Sequence, residues 1–187
     1  MNIMKNIRRV ALSLLLVVPS WSFADSVPDE AFRMVAEEFK LPAVVLFAVA
    51  CAESSKHSAT EVNKPWPWTL TIAGERRHYP TREAAQRALD HALELGISNI
   101  GVGLMQINWR RYQGILNDPS RVLDPVTNLR IGARILHDQW NREDDLWVAI
   151  GQYHSVLPTD ASAFKYRVGA EVVRVLSQRA RLSPPNS

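Results

Sequence analysis

Apolar positions recur with a helical period over most of the chain. Between Pro28 and Lys40 the residues Phe32, Val35, Ala36 and Phe39 fall on one face and predict an amphipathic helix. Leu41-Pro42 interrupts it, and proline suits the first turn of the helix that follows. Ala43 to Ala52 has no polar face, which predicts a helix buried all round and ending at Glu53-Ser54-Ser55. The pattern changes between Pro65 and Pro80. Trp68 to Ile72 is β-prone, Ala73-Gly74-Glu75 reads as a turn, and Arg76 to Tyr79 returns as a second strand. Thr81 then reads as an N-cap and Gly96 as a helix stop, with Ala85, Leu89, Ala92 and Leu93 forming the stripe between them.

Ile97 to Asn108 is extended and punctuated by glycine. Asp124-Pro125 opens a long helix on which Leu129, Ala133, Leu136 and Trp140 share a face. A shorter helix is expected from Asp144 to His154, aligning Leu146, Ile150 and Tyr153. Thr159 is a candidate cap for a final helix to about Arg181, and the tail after residue 182 should fray. The chain reads as α+β, predominantly α-helical. One domain is expected over 25–182, carrying a small hairpin-plus-helix insertion at about 58–99.

Composition alters this picture mainly at the N-terminus. The 187 residues carry a formal charge of +3, but Lys5, Arg8 and Arg9 precede the apolar stretch Val10 to Val18 and the small-residue site Ser22-Phe23-Ala24. That is the pattern of a cleaved secretory leader, residues 1–24. The stretch is far shorter than the ~20 residues of a spanning helix. Its removal leaves nineteen basic against nineteen acidic side chains, so a nucleic-acid partner loses its electrostatic support. The expected location is the periplasm, with no stable membrane anchor. Cys51 is the only cysteine, so no intramolecular disulfide can form, and its apolar neighbours predict a small buried residue.

The candidate chemistry begins at Glu53. A carboxyl that follows ten apolar residues loses hydration and faces the negative end of its helix dipole; both favour the protonated form that a general acid needs. The blander account is a helix-end carboxylate paired with Lys56. Further along, Gly101-Val102-Gly103-Leu104-Met105-Gln106-Ile107-Asn108 combines glycines, which allow close approach, with a side-chain amide that both donates and accepts. The motif lacks the Lys-Ser/Thr of a phosphate loop. His57, His78, His91, His137 and His154 show no metal-ligand spacing, so neither metal nor cofactor is expected.

Glu53-Ser54, Gly103 to Asn108, and Ala149-Ile150-Gly151-Gln152-Tyr153, in that order, resemble the soluble lytic transglycosylase (SLT) domain of the lysozyme-like superfamily, which includes goose-type lysozyme. The resemblance runs from about Val27 to Arg174, and Asn128 to Leu136 is similar to that family's long helix. Pro65-Trp66-Pro67-Trp68-Thr69-Leu70 and Tyr153-His154-Ser155 look most like small transglycosylases attached to conjugation, type IV pilus and secretion machines.

The resemblance implies peptidoglycan glycan strands as substrate, and components of such a machine as partners. It makes Glu53 the acid, and then the base that helps the sugar's own C6 hydroxyl close a 1,6-anhydro ring. By the same resemblance Ser54 orients the acid, Met105, Gln106 and Asn108 line the sugar cleft, and the Tyr153 hydroxyl faces the acid. His154 stands where the family has asparagine, which leaves the contact there open. Trp66 and Trp68 are candidates for stacking on sugars or, equally, for a local cluster holding the insertion. Arg110 and Arg111 read as a solvated turn or as partners for muropeptide carboxylates. Two rival readings remain at this level: a hydrolytic muramidase of the same fold, and a glycan-binding assembly protein without turnover.

Overall fold

Helix α1 (Asp29–Glu38) ends at a left-handed residue, Lys40 (φ 54°), after which the Leu41 N–H returns to the Ala36 carbonyl at 2.8 Å. The chain then enters α2 (Ala43–Ser54), whose Val45, Leu46, Ala48, Val49 and Ala50 are buried as its composition requires. This computed structural model describes residues 29–56, 63–116 and 118–182. The leader at 1–24, His57, the acidic residue Glu61 that follows it, and the tail at 183–187 lie outside the described residues.

Strands β1 (Thr69–Ile72) and β2 (Glu75–His78) form the expected hairpin. Ala73 and Gly74 both have positive φ (51° and 87°), the geometry of a two-residue turn that matches strand twist. Helix α3 (Arg82–Glu94) starts where the Thr81 hydroxyl accepts the Ala84 N–H at 3.2 Å. It stops at Gly96 (φ 76°), with the N–H of Ile97 donated to the Ala92 carbonyl at 2.9 Å.

The stretch expected to be simply extended instead doubles back. Strands β3 (Ile100–Val102) and β4 (Ile107–Asn108) flank a tight turn at Gly103 to Gln106. The sheet order is β2-β1-β3-β4, with every neighbour antiparallel. Because β1 pairs with β3, the hairpin is continuous with the glycine motif rather than an appendage. Two helices follow that the periodicity did not predict, α4 (Trp109–Leu116) and α5 (Pro119–Val122). Arg110 and Arg111 therefore sit in the first turn of a helix, not on a loop.

Asp124 caps α6 (Pro125–Glu143) by accepting the Thr127 N–H at 2.8 Å. Asp144 turns left-handed, and Asp145 caps α7 (Leu146–His154) through the N–H groups of Trp147 and Val148 at 2.7 and 3.1 Å. The last helix, α8 (Pro158–Leu182), begins at Pro158, so Thr159 lies inside it rather than capping it. Helix α2 packs against α1 and α8, and α7 bridges α6 and α8. Leu46, Val49, Leu136, Ile150 and Phe164 are fully buried between these helices, each removing roughly 2 kcal/mol of apolar surface from water. Among the described residues no helix is long and apolar enough to cross a membrane.

Candidate active site

One wall of the main cleft is a single row across the sheet. Strand register sets Arg76 opposite Thr71, Thr71 opposite Gly101, and Gly101 opposite Asn108. All four line a cleft of about 680 Å³. Alternation puts Leu70 and Val102 on the other face, where both are fully buried. The opposite wall comes from α4 (Arg110, Arg111, Tyr112), α6 (Ile135, Gln139) and the end of α7 (Tyr153, His154).

Glu53 closes this cleft from the last turn of α2. It is 3% exposed, and among the described residues lining the cleft it is the one carboxylate. Its Oε1 lies 3.0 Å from Nδ1 of His154, and its Oε2 lies 3.8 Å from the Arg76 guanidinium. The imidazole itself is fixed from behind. It stacks on Phe164 of α8 with centroids 4.4 Å apart and planes 3° from parallel, and 29% of its side chain stays exposed to the cleft. Carboxyl and imidazole nitrogen thus share one hydrogen bond, which fixes the orientation of the carboxyl.

Ser54 faces away from the cleft and is fully buried. Its hydroxyl donates to the Ala50 carbonyl (2.9 Å) and accepts the Trp66 N–H (3.2 Å). Its carbonyl accepts from Thr69 (3.2 Å) and lies 3.1 Å from Nε2 of His78. Burial holds the His78 imidazole below its usual pKa, so it meets that carbonyl as a neutral donor. Ser54 ties the acid-bearing helix end to the sheet and has no hydrogen bond to Glu53.

The turn between β3 and β4 explains its two glycines. Gly103 has φ 79°, and a Cβ there would fall 2.4 Å from Asn128 Nδ2. Asn128, buried on α6, donates to the carbonyls of Val102 (2.8 Å) and Val122 (2.9 Å) and accepts the Met105 N–H at 2.8 Å. A Cβ on Gly101 would meet Gln106 Oε1 at 2.7 Å, so the bare backbone makes room for that amide. Gln106 lines the cleft, yet its amide is largely spent within the protein. It donates to the carbonyls of Thr69 (3.1 Å) and Gly103 (2.9 Å) and accepts from Thr71 at 2.6 Å. One acceptor lone pair remains for a ligand.

Several expectations need correcting. Met105 does not line the cleft: it is fully buried, and its side chain fills the space left by Gly132, where a Cβ would overlap it at 2.5 Å. The hydrogen bond of the Tyr153 hydroxyl goes to the Met105 carbonyl (2.7 Å), with the Glu53 carboxyl close by in the same cleft. Burial, with the Glu53 carboxyl nearby, keeps that phenol well above its usual pKa, so it remains a donor. Trp66 and Trp68 are absent from the cleft lining and pack edge to face at 5.5 Å. The Trp66 indole N–H is donated to the Tyr79 carbonyl at 2.7 Å, and Lys56 covers its ring at 3.5 Å. These contacts hold the hairpin and tie Trp66 into it, away from the cleft. The same Lys56, expected by the blander account to pair with Glu53, is thereby placed elsewhere.

Asn108 and His154 do reach the cleft, as does Glu53. Reading the sequence missed Arg76, Thr71 and Asn99 on the sheet side, Tyr112 and Gln139 on the helical side, and Phe164 behind His154. No local pattern marks them, since each arrives through strand register or helix packing.

The family model for the transglycosylase SLT domain matches residues 30–171, most of the chain. The protein belongs to this family, and its fold is the lysozyme-like α+β arrangement, mainly helical with one small antiparallel sheet. It is therefore a lytic transglycosylase that acts on peptidoglycan. No curated protein and no solved structure matches the chain.

Proposed function

We propose that the protein cleaves the β-1,4 bond between N-acetylmuramic acid and N-acetylglucosamine without water, with Glu53 as general acid and then base. What carries this reading is Glu53, the one carboxyl among the described residues of the cleft, with His154 on one oxygen and Arg76 near the other. Ordinary glycosidases need two carboxyls, the second to activate water or to attack. A lone carboxyl suits a reaction whose nucleophile belongs to the substrate.

Glu53 gives its proton to the glycosidic oxygen, and the bond from that oxygen to C1 of the muramic acid breaks. Positive charge develops at C1 and is relieved by the N-acetyl group and by the carboxylate left behind. The C6 hydroxyl then attacks C1 while its proton passes to Glu53, which closes the 1,6-anhydro ring and restores the acid. His154 Nδ1 holds the carboxyl in line. Arg76 attracts the carboxylate while it is charged. This makes the protein a carbon–oxygen lyase acting on a polysaccharide.

Location and partners belong to the same proposal. The pattern at residues 1–24 supports export to the periplasm. The likeness of Pro65 to Leu70 and Tyr153 to Ser155 to transglycosylases of envelope-spanning machines supports local opening of the wall for a conjugation, pilus or secretion apparatus. The test is Glu53→Gln, which preserves shape and hydrogen bonding but has no proton to give. Turnover should fall about 10³-fold while binding to glycan strands persists. Undiminished turnover would remove Glu53 from the mechanism.

A further inference from the structure

The catalytic cleft does not end at its helical wall. It continues into a second groove of about 610 Å³ between α4 and α6, sharing Arg111, Tyr112, Ile135 and Gln139 with the first. Beyond them this groove is lined by Ile131, Arg134, Asp138 and Arg142. Its charge is lopsided in a chain that is balanced once the leader is removed. Arg110 at the mouth, then Arg111, Arg134 and Arg142, face a single carboxylate, Asp138. Arg134 reaches Asp138 only at 4.0 Å, and both are exposed. Among the described residues, Arg110, Arg111 and Arg142 make no ion pair, whereas Arg33, Arg130 and Arg174 on other faces each hold a glutamate.

Guanidiniums without a close partner along a groove between two helices form a site for carboxylates, which they can grip with paired N–H groups. The floor is apolar, made by Ile131, Ile135 and the Tyr112 ring, over which the Arg111 guanidinium sits at 5.6 Å. An occupant should therefore combine carboxylates with short aliphatic side chains. It should also be attached to whatever fills the catalytic cleft.

We propose that this groove binds the stem peptide hung from muramic acid, through its free carboxylates, so that the enzyme selects peptide-bearing over denuded glycan. The inference rests on the reading of the cleft as a glycan site. It deepens that reading by naming which form of the strand is preferred. Charge steering along the groove would speed encounter and fade at high salt.

The test is binding to the Glu53→Gln protein, which does not depend on turnover. Its affinity is compared for peptide-bearing strands and for the same strands stripped by an amidase, at low and high salt. Peptide-bearing strands should bind about fivefold more tightly at low salt, the sum of two exposed charge pairs, with the advantage lost at high salt. Arg134→Gln together with Arg142→Gln should erase the difference, and the corresponding Lys pair should retain part of it. Equal affinity for the two strands, or a preference untouched by the Gln pair, would overturn the groove. Failure of the glycan reading looks different: neither strand would bind at all.

Discussion

Nδ1 of His154 lies 3.0 Å from Oε1 of Glu53, and the imidazole is clamped flat against Phe164. The two residues are 101 positions apart and come from the ends of α2 and α7. A carboxyl held by a clamped imidazole keeps one orientation toward the cleft, the geometry a general acid needs.

His154→Asn tests whether the clamped imidazole positions the acid. Asparagine can still hydrogen-bond the carboxyl but cannot stack on Phe164 as the ring does. Turnover number should fall about tenfold with KM little changed, since only the aim of the carboxyl is altered. An unchanged kcat would mean that His154 does not position Glu53.

Asn128 is predicted to govern the cleft wall without touching it. Asn128→Ala would strand the Met105 N–H and the carbonyls of Val102 and Val122, all served by one buried amide. The cost is roughly 3 to 5 kcal/mol, seen in calorimetry as a melting point lowered by about 10 °C. A loss of only a degree or two would mean the turn is held by Tyr153 and Gln106 alone.

Trp66→Ala separates a structural tryptophan from a sugar platform. The indole N–H is bonded to Tyr79 and the ring is covered by Lys56. Stability should drop by about 2 kcal/mol, while KM for denuded glycan stays unchanged. A raised KM with unaltered melting would restore the stacking role.

Cys51 gives a pH dependence with a definite sign. Burial pushes its thiol up to about 12. Stability linked to the thiol is intact below about pH 9, where the thiol is neutral folded or unfolded. It is lost as pH rises toward 12, by about 1.4 kcal/mol per unit, because the unfolded chain releases the proton first. Cys51→Ala should flatten the melting curve between pH 9 and 11, and native Cys51 should resist alkylation at pH 8. Rapid alkylation of the folded protein would contradict this burial.

The helices and their caps could be read from local pattern because their causes are local. Thr81, Gly96, Asp124 and the apolar run before Glu53 each act within a few residues. Glu53 stood out for the same reason, as a carboxyl at the end of an unbroken apolar helix. The misplacements share an opposite cause. Strand alternation says nothing of Gln106 adopting φ 47°, and that one left-handed residue helps close the turn that buries Met105 and brings the Gln106 amide to the cleft. Arg76 becomes a neighbour of Glu53 only through its register with Thr71, and Phe164 reaches His154 only because α8 folds back over α7. Nothing in a short window of sequence carries those pairings.

The most direct test is the chemistry of the product. The wild-type protein, residues 25–187, is incubated with purified peptidoglycan and the released muropeptides are weighed by mass spectrometry, with Glu53→Gln run in parallel. Muropeptides about one water lighter than hydrolysed ones, ending in 1,6-anhydro-muramic acid and absent from the mutant, are the predicted result. Muropeptides with reducing ends would contradict it, since they require an attacking water, whereas the proposed nucleophile is the substrate's own C6 hydroxyl.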